Sequence, residues 1–210
     1  MGDAHAIEGR PAAATNAGAG VAQLVLATRN PHKLREFARM LPDVGLAPLP
    51  EGISLPPEHG DTYADNALIK ARVAAEATGR AAIADDSGIE AEALGGAPGV
   101  RSARYAGPGA TDADNLAKLA AAVPVGSRLR YMCALVHVTP TGEHHVFTGT
   151  CGGTMANAPR GAGGFGYDPL FVPDDRADGR TMAELSDAEK DAISHRGRAA
   201  RALEAWLRRT

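Results

Sequence analysis

Cysteine and aromatic side chains are scarce in this chain. Of 210 residues only two are cysteines and 4% are aromatic. Cys133 and Cys151 show no metal-ligand spacing, and with no secretory signal they read as reduced thiols on strands, the pattern of a cytoplasmic protein. No uninterrupted apolar run approaches the roughly 18 residues of a membrane span, so no membrane partner is expected. Nor is there an excess of either charge. Twenty-two Lys+Arg against 25 Asp+Glu leave a net charge of −3, which argues against a general binder of nucleic-acid backbone. Any anion the protein takes must be held locally. What is present, 44% hydrophobic and 22% charged residues, is the composition of a globular domain with a real core.

Residues 1–22 are rich in Ala and Gly and lack both a basic and an apolar signal-peptide region, so they are expected to form a disordered extension. Residues 23–208 are expected to form a single domain. From Val21 onward short β-like runs alternate with helical patterns, which predicts one α/β unit. Leu24 to Ala27 reads as a strand, and His32 to Leu41 as a helix with Leu34, Phe37, Ala38 and Leu41 on one face. Tyr63 to Thr78 is a second helix and Ala81 to Ala84 a buried strand. Thr111 to Val123 reads as a helix opened by Thr111 and Asp114, and Leu129 to Thr139 with Glu143 to Thr150 as a hairpin. Ser186 and Glu189 form a capping box for a last helical region that runs toward Arg208 and breaks near Ser194 to Gly197.

Four places carry possible chemistry. Between the first strand and its helix, Asn30 suits an N-cap and Pro31 the first helical position. Lys33 then falls in the first turn, where free backbone N–H groups favour an anion. The same pattern also describes an ordinary capped helix with a solvated lysine. Next, Asp85-Asp86-Ser87-Gly88 reads as two carboxylates and a glycine turn at the end of a strand, where open α/β sheets place their sites and where oxygen ligands suit Mg²⁺. Taken alone, this motif is more often just a turn. Third, Glu58 precedes the second helix, on which Asn66 and Lys70 share a face at i, i+4. Last, Lys190 and Ser194-His195-Arg196-Gly197 form a basic set able to meet phosphate or a keto oxygen, or to lie solvated on a C-terminal helix.

Gly161 to Gly166 satisfies G-x-G-x-x-G, but the Pro-punctuated stretch from Tyr167 to Pro173 cannot supply the helix that a dinucleotide fingerprint needs. The segment is instead a loop presenting Phe165, Tyr167 and Asp168, with rings suited to stacking on a base or to core packing.

Together these segments supply carboxylates for a metal, lysines for phosphates and aromatics for a base. Thr28 to Lys33, Ala84 to Gly88 with Leu94 to Val100 and Ser102 to Tyr105, Gly163 to Pro169, and Glu189-Lys190 through Gly197 closely resemble the inosine/xanthosine triphosphate pyrophosphatase family. The match runs in order from Leu24 to Leu207. The resemblance implies a two-lobed α/β fold with a long mixed central β-sheet flanked by helices, a cleft between the lobes and a homodimer. It further implies Mg²⁺-dependent hydrolysis of ITP, dITP and XTP to the monophosphate and pyrophosphate. Asp86 is then the proton acceptor and a metal ligand, with Glu58 and Asp85 completing the acidic cluster. Thr28, Asn30, Lys33, Lys70 and Lys190 contact the triphosphate, Arg29, Pro31 and His32 complete that substrate loop, and Ser87 touches substrate. Phe165, Gly166, Tyr167 and Asp168 with His195 and Arg196 form the base pocket. Arg29 stands where many members carry glycine, and there it adds a phosphate contact or crowds the loop. The competing readings are a pyrophosphatase for another modified nucleotide and a catalytically silent nucleotide-binding regulator.

Overall fold

The computed structural model describes residues 23–209, so the expected extension over residues 1–22 lies outside the described residues. Six strands form one mixed sheet: β1 (Leu24–Leu26), β2 (Leu46–Pro48), β3 (Ala82–Ala91), β4 (Arg128–Val138), β5 (His144–Met155) and β6 (Phe171–Pro173), in the order β2-β1-β3-β4-β5-β6. β1 runs parallel to β2 and β3, and the remaining pairings are antiparallel. The helices are α1 (Pro31–Met40), α2 (Tyr63–Thr78), α3 (Asp112–Ala122), α4 (Asp187–Ile193) and α5 (His195–Leu207).

Three apolar clusters explain why the sheet is shared by two lobes. In the first lobe, Ala82, Ala84, Val136 and Val138 pack one sheet face against Ala67, Ala71, Ala74 and Ala75 of α2. The alanines let the helix lie close to the sheet. On the opposite face Ile83, Cys133 and Leu135 meet Phe37 and Leu41 beside α1 and Ala199, Ala200 and Leu203 of α5. Burying Phe37 and Leu41 contributes about 1.5–3 kcal/mol each. In the second lobe the far ends of the long strands, with Ile89, Leu129, Tyr131 and Cys151, pack against Leu119 of α3 and against Phe171 and Met182. Residues 85–88 of β3 therefore lie where one lobe gives way to the other.

Two expectations need correction. Asp85-Asp86-Ser87-Gly88 is not a turn but the middle of β3, paired residue by residue with Leu135 to Met132 of β4. Turn propensity loses here because the antiparallel partner satisfies the backbone on through Ala91. Gly88 is required for another reason: a Cβ there would collide with the carbonyl oxygen of Gly99 and with Ser102 Oγ. The second correction concerns α1, where Ala38 is exposed and Glu36 is buried. The helix turns its Glu36/Phe37 edge inward because Glu36 finds two cationic partners on α4 and α5. The break expected near Ser194 is real: Ser194 both ends α4 and caps α5, its hydroxyl accepting from Gly197 N. Both cysteines are free and buried, one in β4 and one in β5.

Candidate active site

A cleft of about 450 Å³ opens at the junction of the lobes, and every expected site residue lines it except Pro31, His32 and Asp85. Its geometry follows from strand alternation. Successive side chains of a strand point to opposite faces, so the adjacent aspartates part company. Asp86 faces α2, where Asn66 Nδ2 donates to its Oδ2 at 2.9 Å. Asp85 faces α1 and α5, with Lys33 Nζ at 3.0 Å and Arg196 Nε at 3.3 Å from its Oδ2.

Asp85 is one link of a chain of alternating charges under the cleft. Arg196 continues from it to Glu36 at 2.6 Å, Glu36 to Lys190 at 2.7 Å, and Lys190 to Asp168 at 2.6 Å. Lys33 and Arg196 hold the carboxyl of Asp85 well below the usual carboxylate range even though burial alone would raise it. Burial likewise raises Glu36, and Arg196 with Lys190 overrides it, so its carboxyl also sits low. Burial penalises the Lys190 ammonium, but Asp168 and Glu36 keep it protonated to higher pH. Asp86 behaves in the opposite sense. Burial and the neighbouring charge of Glu58 push it up, and Lys70 and the Asn66 hydrogen bond only partly offset them.

Lys70 Nζ bonds Glu58 Oε1 at 2.5 Å and the Asp85 carbonyl at 2.7 Å. In the β1–α1 loop Asn30 Oδ1 accepts from the amides of His32 at 2.8 Å and Lys33 at 3.3 Å, and Asn30 N donates to Thr28 Oγ1 at 3.2 Å. Arg29 lines the cleft, and its guanidinium donates to the carbonyls of Leu49, Pro50, Glu51 and Ile53. Ser87 Oγ accepts from Arg196 at 2.6 Å.

The aromatic end is built on Asp168, which accepts from Phe165 N and the Tyr131 hydroxyl at 3.0 Å each. Gly161 to Gly166 leads into a short 3-10 turn, Asp168–Leu170, and then β6, so no helix follows the glycines. Tyr167 is buried and its hydroxyl donates to the Ser102 carbonyl at 2.7 Å, so this ring anchors the loop rather than offering a face for stacking. Phe165 is half-buried, with His32 stacked on it at 5.0 Å between centroids and Lys190 and Arg196 over its ring. His195 stacks on Tyr131 at 4.6 Å, and burial keeps its imidazole neutral to well below its usual pH. Its buried Nδ1 has no partner among the described residues.

Sequence reasoning did not single out Glu36, Tyr131 or Asp112. Glu36 lies one turn beyond Lys33 on the helix, and that spacing was the available signal. Asp112, the first residue of α3, accepts from Gly166 N at 3.0 Å and steadies the aromatic loop across the cleft.

The arrangement defines an α/β protein of two lobes sharing one sheet, with a charged cleft that ends in an aromatic pocket. The chain belongs to the Ham1 family, whose sequence model matches residues 24–206. It is 50% identical over 191 residues to a dITP/XTP pyrophosphatase of Symbiobacterium thermophilum, covering 87% of this chain and 93% of the relative. To the dITP/XTP pyrophosphatase of Yersinia pseudotuberculosis it is 49% identical over 187 residues, covering 84% and 93%. Among solved structures, a HAM1 protein from Coxiella burnetii superposes with a TM-score of 0.79 at 40% identity, over 90% of this chain and 99% of that one. The nucleoside-triphosphatase/dITP/XTP pyrophosphatase of Mycobacterium abscessus gives 0.65 at 48% identity, over 86% and 98%.

Proposed function

We infer that this chain hydrolyses ITP, dITP and XTP to the nucleoside monophosphate and pyrophosphate. The relatives that cover most of its length are named dITP/XTP pyrophosphatases, and ITP is added from the family resemblance. The observation in the cleft that carries the reading is Asp86, a buried carboxylate outside the compensated charge chain and held in place by Asn66.

A triphosphate brings about four negative charges. The cleft does not offset them by itself, since the cations Lys33, Lys70, Lys190 and Arg196 already face the carboxylates of Glu36, Glu58, Asp85 and Asp168. Among the described residues no three His, Cys, Asp or Glu side chains are gathered for a metal. Asp85, committed to Lys33 and Arg196, does not fit the ligand role that the resemblance implied. Glu58 and Asp86 do fit, because unlike Asp85 both line the cleft: they would hold Mg²⁺ together with substrate phosphates, and Lys70, which pairs with Glu58 at 2.5 Å, would turn to the phosphates. Bound there, Mg²⁺ supplies charge neutralisation and lowers the pKa of bound water.

The residues do the rest. Lys33 and Lys70 and the amides at the start of α1 receive phosphate oxygens. Asp86 takes the proton of the water that attacks the α-phosphorus, as a general base within reach of the bound substrate. The new P–O bond forms as the bond from the α-phosphorus to the bridging oxygen breaks, and pyrophosphate leaves intact. Phe165, His195 and Arg196 line the end of the cleft that receives the base, with the Arg196 guanidinium over the Phe165 ring as a polar handle. The homodimer and the cytoplasmic location belong to the same proposal and rest on the family resemblance. Among the described residues no helix is long and apolar enough to cross a membrane.

Hydrolysis in ¹⁸O-labelled water tests the bond broken: label is expected in the monophosphate, and label in orthophosphate with a diphosphate nucleotide as product would overturn the mechanism. Comparing kcat/KM for ITP, XTP, GTP, ATP and CTP under one Mg²⁺ condition tests the pocket. Keto acceptors at position 6 are expected to outrun the adenine amino group by at least about ten-fold, since an unmatched donor costs about 1–3 kcal/mol. Binding of ITP without turnover would establish the silent regulator instead.

A further inference from the structure

Residues 49–61, between β2 and α2, cross the mouth of the cleft without regular secondary structure and bring Leu55, Pro56, Pro57 and Glu58 to its wall. Side chains from both lobes hold this strap. At its far end Arg104 donates to the Glu58 carbonyl at 2.9 Å, and Asn66 Oδ1 accepts from Gly60 N at 2.8 Å. At its near end Arg29 does most of the holding, with Nη1 on the Leu49 carbonyl at 2.7 Å and Nη2 on those of Pro50 at 2.5 Å and Ile53 at 2.7 Å, and Glu51 at 3.3 Å.

Convergent carbonyl dipoles repel one another unless a donor sits among them. The planar guanidinium offers five N–H groups in a fixed fork and serves several acceptors at once, which an ammonium on a flexible stem does less well. Arg29 also stands between Thr28 and Asn30, so it joins the loop at the start of α1 to the strap that carries Glu58. The hydrogen-bonded fork thus carries the link between these two walls beyond the last strand pair, Leu26 with Pro48, where the β1–β2 ladder ends.

We propose that Arg29 is a positioning residue, which acts through the backbone of residues 49–53 to hold Glu58 across from Asp86 and so sets how tightly the cleft retains its divalent cation. The inference rests on the reading of Glu58 and Asp86 as that cation's carboxylates. Loss of an outer-shell partner commonly weakens metal affinity by about 10- to 100-fold, and Arg29 acts at least one step further out, so the lower end is expected.

Two readouts on Arg29→Ala and Arg29→Lys test it. Hydrogen exchange of the amides from Glu51 to Leu55, measured without nucleotide, is expected to quicken in Arg29→Ala while α2 keeps its protection, with Arg29→Lys in between. The Mg²⁺ concentration for half-maximal pyrophosphate release is expected to rise about 10-fold in Arg29→Ala, with activity recovering at high Mg²⁺. Unchanged exchange, or faster exchange with the Mg²⁺ curve unmoved, overturns the proposal. A wild-type enzyme that releases pyrophosphate with no response to Mg²⁺ overturns the underlying cation reading, a separate result.

Discussion

Two carboxylates adjacent in sequence do different work because a strand sends them to opposite faces. Asp86 has one hydrogen-bonding side-chain partner, Asn66, and a pKa raised by burial and by Glu58, whereas Asp85 is immobilised between Lys33 and Arg196. Asp86→Asn keeps the shape and removes the base, so kcat is expected to fall on the order of 10²-fold or more while substrate still binds. Near-normal turnover by the folded variant would remove Asp86 from the chemistry. Asp85→Asn acts differently: it leaves Lys33 and Arg196 short of a charge partner, so the loss appears in stability as well as rate. Glu36 gives the sharper test of the charge chain. Glu36→Ala leaves Arg196 with Asp85 and Lys190 with Asp168 as one remaining carboxylate each, so the cost is expected to approach from below the about 3–5 kcal/mol of a fully broken buried pair. Urea unfolding measures it, and a loss below about 1 kcal/mol would show that water replaces the carboxylate without penalty.

At the scale of elements, α5 reaches the site because β5 lets it approach. A Cβ on Gly149 would collide with the carbonyl oxygen of His195 and come within 2.7 Å of Ala199 N. Gly149→Ala is therefore expected to push the start of α5 off the sheet, lowering the melting temperature and raising KM for ITP, since His195 and Arg196 move with it. A variant that melts and binds like the wild type would mean that the sheet yields there. Helices were the most legible elements in the sequence: Asn30-Pro31, Thr111 with Asp114 and Ser186 with Glu189 each mark a start that the structure keeps. The long strands were less legible. Asp85-Asp86-Ser87-Gly88 carries local turn chemistry, and only a distant partner, β4, shows that it is strand. The cleft residues could be gathered from motifs, but their division between two sheet faces could not, because it depends on that same strand assignment. The partners of Arg29 were hidden for a similar reason: the carbonyls it donates to lie 20 to 24 residues away, in a loop whose course no local pattern fixes.

For the whole molecule the testable quantity is stability against pH, and the buried groups divide it into two windows. His195 is kept neutral by burial, with Arg196 and Lys190 adding to the effect and Asp85 opposing it. His137, buried beside Trp206 at 5.1 Å, is lowered by burial and by His145 across the strand pair. In an unfolded chain a histidine takes up its proton near pH 6.5. Below that pH the unfolded state therefore binds protons that the folded state refuses, and stability falls as the pH drops toward the folded values. Asp85 and Glu36 have depressed pKa values, so their contribution is complete above the usual carboxylate range and is lost only as the pH falls through that range and below it. A decline between pH 7 and pH 5 thus belongs to the histidines, and a second one below about pH 4 to the carboxylates held low, Asp85 and Glu36 of the charge chain together with Asp114, Asp174, Asp178, Glu184 and Glu189. Each proton of difference is worth at most about 1.4 kcal/mol per pH unit, so the two histidines together set a limit of about 2.7 kcal/mol per unit in the first window. Urea unfolding at pH 8, 7, 6 and 5 should show a plateau and then this decline. His137→Leu, which lies away from the cleft, should make the decline shallower while leaving turnover at pH 8 unchanged. A profile that stays level to pH 5 in the wild type would mean that both imidazoles accept protons in the folded state, and the neutral His195 beside the base pocket would have to be given up with it.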